Sequence, residues 1–235
     1  MITVLCLFAS AFTGCTVERS SVTLGNVLVL GDSYSTFEGH IPEGYAAYYS
    51  KKSTSFGVTS HKKTWWYRLA ERTGSNILLN SSYSGSTVCH TGYDGADYSE
   101  ISFAARTDKL IESGFFADNE VNTLVILGGL NDYWAKAPRG EIKYEGFEAE
   151  DIYSVYPAFA YMLSRVRQAS PETRIIYIAE EYLPDDMKAD MREICTHYGA
   201  ETVEIHGISK IEGHPDADGM KAIAEQVVEY LECEK

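Results

Sequence analysis

The chain has 235 residues, 45% of them hydrophobic, enough for one sizeable core and ordinary for a single α/β domain. Thirty-four acidic residues against 20 basic ones give a net charge of −14. A field of that sign repels phosphate backbones and anionic lipid surfaces, so no nucleic-acid partner is expected.

In chain order, residues 1–15 form an apolar run too short to span a bilayer as a permanent helix. It ends in Ala11-Phe12-Thr13-Gly14-Cys15, which resembles a bacterial lipobox: small residues, then a cysteine that is lipidated after cleavage. The expectation is a leader and polar tether over 1–21, a possible lipid anchor at Cys15, and an exported, membrane-anchored lipoprotein whose single domain covers 22–235. Beyond the tether, Asn26–Gly31 is a continuous valine and leucine run closed by glycine, as in a parallel strand buried on both faces. Runs of the same kind follow at Asn76–Asn80, Thr123–Gly128, Arg174–Ala179 and Glu201–Ile205. Between them, helices are predicted near 64–73, 101–113, 151–169, 185–198 and 216–233. The third of these carries Ile152, Val155, Phe159, Met162, Leu163 and Val166 at helical spacing.

Five strands alternating with helices predict a three-layer α/β/α sandwich on a parallel sheet. Ligands of such sheets bind outside the carboxyl ends of the strands. Four polar clusters stand at those ends. Gly31-Asp32-Ser33 follows the first strand, and a serine there has a hydroxyl at the sheet top and a backbone N–H free for an anion. Gly85 follows the second strand, in a turn where its N–H can approach a ligand without a side chain in the way. Gly128-Gly129-Leu130-Asn131-Asp132 follows the third and presents a carboxamide, and His214 stands before the last helix. Acyl transfer needs this combination: a nucleophile, a base, and donors aimed at the developing oxyanion.

On these blocks, from about residue 26 to the end, the chain resembles the SGNH (GDSL-type) hydrolases. The resemblance implies a flavodoxin-like sheet of order 2-1-3-4-5 and ester hydrolysis through an acyl-enzyme. It implies Ser33 as nucleophile and His214 as its base, with the oxyanion met by the N–H groups of Ser33 and Gly85 and the Asn131 amide. Asp32 and Asp132 are read as turn-forming and scaffolding residues. In one place the pattern breaks: the family carries aspartate three residues before the histidine, and Ile211 stands there. Glu212 is shifted by one residue and Asp216 stands where the last helix needs a cap. A Ser–His dyad oriented by a backbone carbonyl is therefore expected, with the third member left open.

The remaining signals concern substrate. Phe37, Tyr45, Tyr48 and Tyr49 on the long insert at 34–63, with Tyr133 and Trp134, are expected to wall a cleft, and His90 can line it. Aromatic walls with hydroxyls suit a sugar ring, so a short acyl group on a carbohydrate is the expected substrate; longer-chain lipase or thioesterase activity, or a decayed carbohydrate-binding protein, are the alternatives. Trp65 and Trp66 are assigned to packing. The cysteines at 89, 195 and 233 show no CxxC spacing, and His40, His61, His90, His197 and His206 lack metal-ligand spacing, so neither metal nor organic cofactor is expected.

Overall fold

The computed structural model describes residues 20–233; the expected leader and lipobox, with Cys15, lie outside them. In chain order the elements are β1 (Asn26–Gly31), α1 (Trp65–Thr73), β2 (Asn76–Ser82), α2 (Phe103–Glu112), the single turn α3 (Phe115–Asp118), β3 (Thr123–Leu127) and α4 (Leu130–Trp134). They continue with α5 (Val155–Ala169), β4 (Arg174–Ala179), α6 (Asp185–His197), β5 (Glu201–Glu204), the two-residue strands β6 (Lys210–Ile211) and β7 (His214–Pro215), and α7 (Ala217–Cys233). The main sheet is parallel throughout, in the predicted order β2-β1-β3-β4-β5. Helix α1 packs with α7, while α5 lies between α2 and α6, which gives the two outer layers.

The central strands are apolar because both faces are covered: every residue of β3 is buried, and every residue of β1 after Asn26. Their register places the site. Gly31 pairs with Ser82 on one side and Leu127 on the other, so β1, β2 and β3 end level and their loops open onto one place.

Three local features differ from the sequence reading. The helix expected over 151–169 is two pieces, a 3-10 turn at Ala149–Tyr153 and α5 from Val155. Pro157 explains the break, since its ring would clash with the Tyr153 carbonyl four residues back while being tolerated in a first helical turn. Residues Leu130–Trp134, for which no helix is predicted, form the short helix α4. The hairpin β6–β7 is also new, and it carries His214.

Candidate active site

Beyond Gly31 the chain turns at once. Asp32 Oδ1 accepts the Tyr34 N–H at 3.0 Å and so caps a 3-10 turn over Ser33–Ser35. That turn is fastened from outside: the indole N–H groups of Trp65 and Trp66 donate to Ser35 Oγ (3.2 Å) and Ser35 O (2.9 Å), and Asn80 Nδ2 donates to Ser35 O at 2.8 Å. The two tryptophans therefore pack, as expected, and also hold the serine turn in place.

The histidine arrives on the β6–β7 hairpin. Its two linking residues, Glu212 and Gly213, have φ of +48° and +77°, the pair of positive values that a two-residue type I′ turn demands. Glycine adopts this freely and Glu212 at a cost. The turn aims the Glu212 carbonyl at the imidazole: Nδ1 lies 3.2 Å from Glu212 O, and Nε2 lies 3.0 Å from Ser33 Oγ. With the carbonyl accepting from Nδ1–H, Nε2 is left as the basic nitrogen facing the serine. Asp216 is occupied elsewhere, accepting the N–H groups of Asp218 and Gly219 at the head of α7 and the Ser209 hydroxyl. Replacing Glu212 or, separately, Asp216 with alanine is therefore expected to cost less than about tenfold in kcat. A loss near ten-thousandfold at either position would mark it as the triad acid.

The hairpin is tied down on several sides. Tyr34 donates its hydroxyl to Gly213 O at 2.5 Å, and Tyr49 donates its own to Pro215 O at 2.6 Å. Lys210 pairs with the buried carboxylate of Glu180, just past the end of β4. The Tyr48 ring lies flat on the imidazole, centroids 3.7 Å apart and planes 8° apart. Burial holds the His214 pKa below 6.5, against the Glu212 carbonyl bond that favours the cation and with help from the nearby Lys210 charge. A base must be neutral to accept a proton, so kcat/KM is expected to rise with pH through a midpoint below 6.5 and then level off. A pH profile with its acid limb centred above 6.5 would contradict this.

Asn131 sits in the first turn of α4. Its Nδ2 donates to Ser86 O at 3.1 Å and to Asp32 Oδ2 at 3.3 Å, and its Oδ1 accepts the Tyr93 hydroxyl at 2.6 Å. No hydrogen bond from the N–H of Ser33 or of Gly85 is found among the described residues. Gly85 has φ of +81°, and a Cβ there would meet nothing within 4 Å, so the turn is open on that side. Asp132 turns inward and accepts from the N–H groups of Val88 and Cys89, which fixes the loop after Gly85.

Two buried charges lie beneath. Burial pushes the Asp32 carboxyl up to about 7, moderated by the Tyr34 N–H and the Arg106 charge. Arg106, 1% exposed, donates to the carbonyls of Ser81 and Gly31 and to Ser86 Oγ, stitching the ends of β1 and β2 to the Gly85 loop. Sequence reasoning missed Arg106, Tyr93 and the Lys210–Glu180 pair. Only Arg106 left a trace, as a charge inside the buried stretch Phe103–Thr107 of α2.

The expected cleft walls divide. Phe37 and Tyr49 are core residues, bridged to each other where the insert folds back, and are not available to a ligand. Tyr45 packs on Tyr83, and His90 packs edge-on to Tyr153. Tyr133 and Trp134 are 44% and 41% exposed and, with Tyr182, Lys210 and Gly213, line a cavity of about 550 Å³ beside His214. A larger cavity, about 690 Å³, lies along the outer edge of β2. Neither cavity is lined by Ser33, Gly85, Asn131 or His214, and it is Gly213, on the turn that delivers His214, that ties the smaller one to the site.

The sequence model for GDSL-like lipases and acylhydrolases matches residues 25–231, almost all of the described chain. The chain belongs to that family. A search of curated proteins gives no match. Among solved structures, a GDSL-like lipase proposed from Bacteroides ovatus is 37% identical, with a TM-score of 0.81 over 89% of this chain and 98% of that one. A counterpart from Bacteroides uniformis is 40% identical, with a TM-score of 0.78 over 88% and 95%. A carbohydrate acetylesterase from Sinorhizobium meliloti shares the fold at 13% identity, with a TM-score of 0.60 over 90% and 100%. As a member of the GDSL-like family the protein is a serine esterase, built on the three-layer sandwich described above.

Proposed function

We propose that this GDSL-like esterase removes short acyl groups, acetyl above all, from a carbohydrate or similarly polar substrate, through an acyl-enzyme on Ser33. The observation that carries the mechanism is the 3.0 Å contact between Ser33 Oγ and His214 Nε2, with Nδ1 committed to a backbone carbonyl. Ser33 Oγ attacks the ester carbonyl while its proton passes to His214 Nε2. The oxyanion is met by the N–H groups of Ser33 and Gly85 and by Asn131 Nδ2, which gives up its long contact with Asp32. His214 then returns the proton to the leaving alcohol, and water repeats the sequence on the acyl-serine, releasing the acid.

The substrate reading rests on the cavity beside His214. Its exposed rings, Tyr133, Trp134 and Tyr182, offer flat faces and hydroxyls, which suit a sugar, whereas a long acyl chain needs an aliphatic groove. The fold shared with a carbohydrate acetylesterase supports the same class. Hydrolysis of p-nitrophenyl esters from acetate to octanoate, alongside acetate release from acetylated oligosaccharides, tests it. Turnover concentrated on acetate and on the acetylated sugars is the expected result. A preference for octanoate would refute the short-acyl assignment.

A further inference from the structure

We propose that Tyr48 is a positioning residue for His214, and that its ring takes over part of the work of the missing triad carboxylate by stabilising the imidazolium formed as Ser33 loses its proton. The proposal rests on the reading of His214 as the base. The face of a phenol ring is the negative pole of its quadrupole, and a cation lying on it is attracted. The ring lies flat on the imidazole at 3.7 Å, the arrangement in which that attraction acts. It gains little from the neutral ring and more from the cation, so its contribution is differential, made in the transition state. The proton leaving Ser33 Oγ is the one gained by His214 Nε2, and Tyr48 exchanges nothing.

Tyr48 is itself held in register with the nucleophile. Its N–H donates to Thr36 Oγ1 at 2.8 Å, and Thr36 Oγ1 donates to Ser33 O at 3.1 Å. The edges of Tyr49 and Phe56 pack against its ring at 5.0 and 5.5 Å, which fixes the plane it presents. The other groups around His214 do not supply the missing charge. From the nucleophile turn, Tyr34 meets the imidazole edge-on at 5.4 Å, with Asp32 turned away to the Tyr34 N–H and Asn131. From its own hairpin, Lys210 opposes the cation and Glu212 favours it, but Glu212 bonds Nδ1 through its carbonyl. From the end of β4, Glu180 is spent on Lys210, with Glu181 3.9 Å from the same amine. Beyond the hairpin, Tyr49 bonds Pro215 O and Asp216 caps α7.

The experiment compares the full-length protein with Tyr48→Phe and Tyr48→Leu, the first keeping the ring and the second keeping an apolar side chain without it. Two readouts are taken: the pH titration of the His214 imidazole nitrogens by NMR, which needs no substrate, and kcat on p-nitrophenyl acetate. Tyr48→Phe is expected to stay within about threefold of wild type with the midpoint unmoved. Tyr48→Leu is expected to lose about three- to thirtyfold in kcat, and its His214 midpoint to fall by about half to one and a half pH units. The titrations of His40, His61 and His90 in the same spectra report whether the fold is intact. A His214 midpoint in Tyr48→Leu equal to or above that of Tyr48→Phe would overturn the proposal, reducing the stack to packing. So would an equal loss of rate in both variants, which would assign the effect to the hydroxyl. Because the titration reads His214 directly, failure of the acetyl-ester reading leaves this result separately legible.

Discussion

Ser33→Ala is expected to lower kcat on p-nitrophenyl acetate by about four orders of magnitude or more while leaving the fold intact. Among the described residues the hydroxyl is the hydrogen-bond partner that Nε2 of His214 meets, at 3.0 Å, so in the proposed mechanism its removal leaves the base no nucleophile to activate. Water in its place lacks the positioning that the Asp32-capped turn supplies. What survives is the catalysis that the oxyanion donors and substrate binding give by themselves. Stability is expected to change by no more than about 1 kcal/mol, because the turn is held by Asp32, Asn80, Trp65 and Trp66 rather than by the serine hydroxyl. Stopped assays at high enzyme concentration and a thermal melt check the two halves of this expectation.

Asn131→Ala is expected to act on both activity and stability. In the proposed mechanism the amide is the one side-chain donor of the three groups that meet the oxyanion, and loss of such a donor costs about a hundred- to a thousandfold in kcat. KM is expected to move little, since the contact strengthens only as the carbonyl becomes tetrahedral. The same truncation leaves the Tyr93 hydroxyl, the Ser86 carbonyl and Asp32 Oδ2 without their partner in a largely buried setting. About 2–3 kcal/mol of destabilisation follows from that. A variant that lost stability with kcat unchanged would confine Asn131 to scaffolding.

The strands were legible because a parallel strand covered on both faces is a nearly unbroken apolar run, and β1, β3 and β4 are such runs. Ser33, Gly85, Asn131 and His214 could be placed by the same logic, each lying beyond a strand end or at the last helix. The break before α5 was not visible, because Ile152 and Val155 continue the apolar spacing across it and only the Pro157 ring forbids the continuous helix. The hairpin that delivers His214 has strands of two residues, too short to show a period. What holds the site is mostly side chain to backbone: Tyr34 to Gly213 O, Tyr49 to Pro215 O, Arg106 to Ser81 O and Gly31 O. Carbonyl acceptors are present at every position, so a sequence pattern does not single them out. Phe37 and Tyr49 were misread as walls for a related reason: the insert folds back on itself, Glu38 N–H donating to Tyr49 O at 2.8 Å, and turns both rings into the core. Aromatic residues on a loop carry no mark of which way they face.

The most direct test of the central claim is to trap the nucleophile. The protein and its Ser33→Ala variant are each reacted with a fluorophosphonate ester, and the modified peptide is mapped by mass spectrometry. One adduct per chain on Ser33 in the wild type, with none in the variant, is the predicted result. Wild-type turnover with the adduct on any other residue, or equal labelling of the variant, would contradict a mechanism that runs through an acyl group on Ser33.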